Sequence, residues 1–210
     1  MSVGVIYFGE PAPCKLQVTP EHSIKIDATL QAFANACEYV NQTVPPTLTN
    51  ELAMQSAGIS CCAFKLYVEG GQDAHPTKVK IYLTLQFKCG LAYHNVREMF
   101  GLSAQLAIHA IRRVSGNRKT AKKDGKPVNN FAPTSVTYDT RIFSFREKDW
   151  TVSLTTTGGR ERFVLAIGNY QLGLLKGQNP KTATLCKRKM AVTILIFSLN
   201  LSQPRGNASY

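Results

Sequence analysis

The six cysteines of this sequence include no C-x-x-C pair, no acidic residue follows Glu161, and no apolar run is long enough to cross a bilayer. Each lack excludes something. Structural zinc normally takes two closely spaced ligand pairs, so Cys14, Cys37, Cys61, Cys62, Cys89 and Cys186 are read as reduced, structural thiols. Cys61, Cys62 and Cys89 with His75 match no zinc template either. Two-metal phosphodiester cleavage has no carboxylate ligands beyond Glu161. The greasiest stretch, Ala191 to Leu201, has eleven residues with Thr193, Ser198 and Asn200 among them, against the roughly 20 that a spanning helix needs. The opening "MSVGVIYFGEPAPC" has no basic residue ahead of its apolar hexamer, so neither a secretory signal nor a transit peptide fits, and a cytoplasmic location is expected.

What is present is a globular composition, 44% hydrophobic and 18% charged over 210 residues, enough for one ordinary domain or two small ones. The net charge of +12 is localised. Between Arg112 and Lys189 there are 17 Lys or Arg against 5 Asp or Glu, while the rest of the chain has 8 of each. A surplus confined to one segment points to a polyanionic partner, because neutralising phosphates releases condensed counterions. A solvated basic face is the plainer reading of such a segment taken alone.

Lys15 to Val18 alternates as a short strand, Thr19 can cap a helix, and Pro20 suits the first helical position, where its missing N–H has no partner to lose. Ile26, Leu30, Phe33, Cys37 and Val40 then recur as one buried stripe until Pro45-Pro46 ends the element, with His22 exposed in its first turn. A second helical region runs from about Ala92 to Arg118, broken at Gly101 and restarted at the N-cap Ser103, with Leu106, Ala107, Ala110, Ile111 and Val114 inward. Small residues at 104, 107 and 110 admit another helix closely. The following "SGNRKTAKKDGKPVNN" has no apolar periodicity and reads as a mobile basic loop. From Ser135 the period becomes two, with a hairpin turn at Gly158-Gly159 between "TVSLTT" and "RFVLAI", which predicts a small, strongly curved sheet or barrel. Tyr138, Phe143, Phe145 and Trp150 alternate with Arg141, Arg146 and Lys148. Such aromatics can stack on bases, but in a small barrel they are read as core. In residues 57–90, "KVKIYLTLQFK" alternates and, with "FKLYV" and Gly70-Gly71, reads as a hairpin interrupting two helices.

Three segments resemble the amino-terminal part of the TnpB (OrfB) proteins of bacterial insertion sequences, RNA-guided DNA endonucleases related to type V CRISPR effectors. They are "KLQVTPEHSIKIDATLQAFANACEYVN", with its Thr-Pro helix start and Asn-x-x-x-x-x-Asn pair; "YHNVREMFGLSAQLAIHAIRRVSGNRK", around Gly-Leu-x-Ala-Gln-Leu-Ala; and "SVTYDTRIFSF" followed by "VSLTTTGGRERFVL", with Tyr-Asp-x-Arg and a Gly-Arg hairpin. The resemblance covers about 130 residues in the family's order. It implies an α+β fold: a small wedge-type β-barrel with a helical recognition domain inserted after its first strand, holding guide RNA and target DNA by their phosphates. The implied division is a leader at 1–14, a first strand at 15–19, helical regions at 20–56 and 91–122, an insertion at 57–90, a basic linker at 123–134, the barrel at 135–189 and an off-pattern tail at 190–210.

Arg112, Arg113, Arg118, Lys119, Lys122, Lys123 and Lys126 are then the expected phosphate contacts, with Arg141, Arg146, Lys187, Arg188 and Lys189 as additions, all in one cradle between the helices and the curled strands. The family's RuvC-type nuclease and zinc ribbon have no counterpart here, nor has the His-x-His motif of the companion transposase, since the histidines stand at 22, 75, 94 and 109. The chain is therefore expected to bind without cutting and to need no metal or cofactor. A related chain would pass from the basic triplet into a strand rich in aromatic and β-branched residues. Re-reading the codons from Met190 in another frame permits that pattern, so residues 190–210 are expected to be the product of a frameshift, with exposed apolar surface and an unclosed sheet edge, and the chain to be a nucleic-acid-binding amino-terminal fragment, the surviving front of a decayed transposon gene. The alternatives are a working nuclease-free RNA-guided regulator and an unrelated basic RNA-binding barrel.

Overall fold

A computed structural model describes residues 11–57, 91–128, 130–188 and 193–198. The first strand, β1 (Pro11–Gln17), alternates buried Ala12, Cys14 and Leu16 with exposed Pro13, Lys15 and Gln17, and so begins four residues earlier than the sequence pattern places it. Helix α1 (Pro20–Thr43) starts as expected: Thr19 Oγ1 accepts from His22 N at 3.3 Å and Pro20 occupies the first turn. Its predicted stripe is fully buried. The short α2 (Glu51–Gln55) is capped by Asn50 Oδ1, which accepts from Leu52 N at 2.9 Å. Helix α3 (Ala92–Phe100) stops at Gly101, whose φ of 61° is a left-handed cap that favours glycine. Helix α4 (Ala104–Asp124) follows from Ser103. Ala92 N donates to Ala57 O at 3.0 Å, so the chain leaves toward residues 58–90 and returns at one place. The hairpin expected within 57–90 lies outside the described residues.

The remaining elements are β2 (Ser135–Asp139), β3 (Phe143–Arg146), β4 (Thr151–Thr156), β5 (Gly159–Ala166), α5 (Asn169–Leu175), β6 (Thr182–Lys187) and β7 (Thr193–Ser198). Together with β1 the strands make one antiparallel sheet ordered β2-β6-β7-β1-β5-β4-β3. Its two outermost strands, β2 and β3, are successive in the chain and joined by residues 140–142 alone. Three residues span about 10 Å, so a flat sheet is impossible and this one curls into a half-barrel. Tyr138 of β2, wholly buried, reaches across with its hydroxyl 3.2 Å from Thr155 O of β4. The concave side holds Val136, Phe143, Val152, Leu154, Phe163, Leu165, Ala183, Leu185 and Phe197.

Two expectations fail here. His22 is half-buried rather than exposed, its ring 4.9 Å from that of Phe163. The second failure is larger, for the segment read as an off-pattern tail contributes β7, which pairs with β6 on one side and β1 on the other in the middle of the sheet. Thr193, Leu195 and Phe197 are buried while Ile194, Ile196 and Ser198 are half-buried. The strand's alternation, its β-branched residues and its aromatic suit a sheet interior. The apolar run from 191 is therefore explained over 193–198 as core, and neither an unclosed edge nor exposed apolar surface exists there.

Replacing Phe197 with Ala removes a wholly buried ring and is expected to cost about 3–5 kcal/mol in urea denaturation. Ile196→Val, on the opposite face, should cost under about 1.5 kcal/mol. Equal, negligible effects of both would mean that this segment is an appendage.

Candidate nucleic-acid interface

Helix α4 changes character along its length. Its first half turns Leu106, Ala107, Ala110, Ile111 and Val114 into the core, and Cys37 Sγ of α1 lies 3.7 Å from Ala110 O, an approach that the small residue allows. Burial pushes the Cys37 thiol up to about 12 and that of Cys14 up to about 11, so both stay protonated and unpaired. Beyond Ser115, Arg118 alone of residues 116–126 is buried.

Arg118 joins the two halves. Its Nε donates to Asn41 Oδ1 (3.2 Å), one terminal nitrogen to Pro45 O (2.8 Å) and Leu48 O (3.0 Å), and the other to Asn41 O and Val44 O (2.9 Å each). The last carbonyls of a helix have no intrahelical partners, and this guanidinium takes up Asn41 O in the last turn of α1, the C-cap Val44 O, and Pro45 O and Leu48 O in the loop beyond. All five of its N–H donors are committed. The expectation that Arg118 contacts phosphate is corrected on that ground: it is a cap inserted from a neighbouring helix.

With that anchor the helix runs on to Asp124 and ends at Gly125, φ 63°. The stretch read as a mobile loop is thus helical over most of its length. Apolar periodicity stops at Ser115 because no core remains to face. The helix persists because Ala, Lys and Arg are good helix formers and cations suit a helix C-terminus. Lys119, Lys122 and Lys123 project from consecutive turns, Lys126 follows the cap, and all four are exposed. None has an ion-pair partner among the described residues. Beside them lies a depression of 660 Å³ lined by Asn41, Pro46, Thr47, Thr49, Arg118, Lys122 and Val128.

The other expected contacts do not join this ridge in one cradle. Arg112 makes a two-pronged pair with Glu51 (2.9 and 3.1 Å). Arg113 donates to Ser135 O at 2.6 Å with its guanidinium 5.8 Å from the Phe33 ring. Lys187 pairs with Asp27, tying β6 to α1, and Arg188 is exposed nearby. Arg141 donates to Gln105 Oε1 at 3.3 Å near the start of α4, whereas Arg146 pairs with Asp149 at 3.3 Å beyond β3. Lys189 lies outside the described residues. Tyr138 and Phe143 are core and Phe145 and Trp150 pack against it, so these four form no stacking platform. Sequence reasoning passed over Arg160 and Arg162, whose signal was the alternation in "GRERFVLA" that turns both outward.

One polar cluster fastens α4 to the sheet. Asp139 accepts from Gln105 Nε2 (2.5 Å) and from Arg141 N (3.0 Å), and His109 Nε2 lies 3.3 Å from the same carboxylate without a well-formed hydrogen bond. Burial lowers the His109 pKa below its ordinary value; Asp139 opposes that shift, Arg112 adds to it, and Glu51 opposes it weakly. Burial works against ionisation of Asp139, but the Arg141 N–H, His109 and Gln105 outweigh it and hold the carboxyl below its usual range. No family model matches the chain, and no curated protein matches it significantly.

Arg118→Met is expected to destabilise the fold by about 2–4 kcal/mol, since it strands buried carbonyls, and Arg118→Lys should restore only part of this in urea melts because three donors replace five. A second test uses pH. With its folded pKa below the unfolded one, His109 is neutral at pH 7, and acidification below about 6.5 favours the unfolded chain, which takes up the proton more readily. The melting temperature should therefore fall between pH 7 and 5, and fall less in His109→Gln. Asp139 contributes stability that is present above its unfolded pKa and lost only in stronger acid.

Proposed function

We propose that this chain is a nucleic-acid-binding protein of the TnpB type, holding guide RNA or an RNA–DNA duplex by its phosphates along the C-terminal half of α4. One observation carries the reading. The three segments behind the resemblance touch one another through their own motif residues: Asn41 of the first accepts from Arg118 of the second, and Gln105 of the second bonds Asp139 and Arg141 of the third. Three unrelated likenesses would have no reason to form one bonded unit. The resulting unit displays four exposed lysines with no ion pair among the described residues, where phosphate binding gains counterion entropy and loses little side-chain pairing.

The role proposed for these residues is binding rather than cleavage. A working RNA-guided regulator is favoured over the decayed fragment by β7, a strand of β-branched and aromatic residues paired on both sides, of the kind that the resemblance calls for after the basic triplet. An unrelated basic RNA-binding barrel would share the ridge but not the linked motifs.

For a single-stranded RNA followed by fluorescence anisotropy, Lys122→Gln/Lys123→Gln is expected to flatten the slope of log affinity against log salt by about 0.7 for each phosphate left without its lysine. Sequencing RNA that copurifies should yield one discrete species. A broad mixture would favour the unrelated barrel, and a salt slope unaltered by the substitutions would remove α4 from the interface.

A further inference from the structure

Away from the lysine ridge, the convex side of β3, β4 and β5 gathers a second set of cations. The register places Ser144, Ser153 and Arg162 in one outward row and Arg146 and Thr151 in the next, with Arg160 opposite Thr155. Arg160 leans across β4 so that one guanidinium nitrogen lies 3.1 Å from Ser144 Oγ. The three arginines, the hydroxyl side chains of Ser144, Thr151 and Ser153, and Glu161 line a depression of 380 Å³. That is the lower end of the range for small-molecule sites, about 300–1,000 Å³.

A sheet face that is merely solvated usually pairs opposite charges across strands. This one does not: Arg160 faces Thr155 and Arg162 faces Ser153. The nearby carboxylates are largely spoken for, since Glu161 is held by Lys25 at 2.6 Å on the other side of its strand and Asp149 pairs with Arg146, both partners well exposed. Arg162 has no hydrogen bond or ion pair among the described residues, and Arg160 has one. Two planar forks with free donors, a third half-engaged, and a floor of hydroxyls make an arrangement short of one compact, doubly charged acceptor. A phosphomonoester carries close to two charges at neutral pH and three acceptor oxygens. A continuous phosphodiester strand would instead call for a stripe of cations along the sheet. We infer that this face is a phosphomonoester site, taking either a free phosphate compound or the terminal phosphate of an RNA. The site stands apart from α4, so it does not rest on the lysine ridge.

The test uses the full chain and three probes: inorganic phosphate by calorimetry, and two otherwise identical short RNAs, one with a 5′-phosphate and one with a 5′-hydroxyl, by anisotropy. Saturable phosphate binding, or a preference of about fivefold or more for the phosphorylated RNA, supports the site and tells the two sources apart. Arg160→Gln/Arg162→Gln should abolish that signal with an unchanged urea midpoint, while Lys122→Gln/Lys123→Gln leaves the preference intact even as it weakens both RNAs. Absence of both signals in the wild type overturns the proposal whatever the lysines do. So does Arg160→Lys/Arg162→Lys behaving as wild type, because diffuse charge would then suffice without the forks.

Discussion

Arg118 orders the surface around it through five hydrogen bonds to the end of α1 and the loop that follows. They bury a guanidinium against backbone carbonyls where α1 ends, and they do so where α4 has run out of core. Without this clamp, the last turns of α4 would be a polar helix end with no packing to order it, and four lysines would hang from a fraying chain. With it, Lys119, Lys122 and Lys123 keep helical spacing, and the polyanion proposed as ligand would meet a surface that is already ordered. The charge that composition reveals and the geometry that makes it usable thus come from different residues.

The sheet obeys a second constraint. A three-residue link between its outermost strands forces the curl, and the curl makes a concave core that α1 and α4 close through polar ties such as Lys25 to Glu161, Lys187 to Asp27 and Gln105 to Asp139. Each tie joins the helical layer to a different strand, so the ridge on α4 has a defined position relative to the half-barrel. His109 sits at the last of these ties with its ring buried beside a carboxylate, which makes that joint sensitive to acid.

Much of the fold was legible in the sequence where a periodic face meets a core. The α1 stripe from Ile26 to Val40, the α4 face from Leu106 to Val114, the Ser103 and Thr19 caps and the Gly158-Gly159 hairpin were all readable, because each is decided by neighbours within a few residues. Two features were not. The C-terminal half of α4 reads as a loop, since its one buried side chain is a charged residue reaching a helix that ends about seventy residues earlier. The strand β7 reads as a foreign tail, since its fitness depends on partners at both ends of the chain, β1 and β6. The candidate site was legible only as a segment. Sequence can count Arg112, Arg113 and Arg118 among seven clustered cations, but not that Glu51, Ser135 O and the α1 carbonyls take them up. It also gives Arg160 and Arg162 no prominence, because their meeting with Arg146 is a matter of strand register.

In the proposed function the exposed end of α4 meets phosphate while the clamped arginine behind it does not. Lysine acylation read by mass spectrometry, with and without saturating RNA, addresses it directly. Protection concentrated at Lys119, Lys122, Lys123 and Lys126, with Lys15 and Lys176 labelled equally in both states, is the result this account requires. Protection spread evenly over all exposed lysines, or absent from α4, would contradict it.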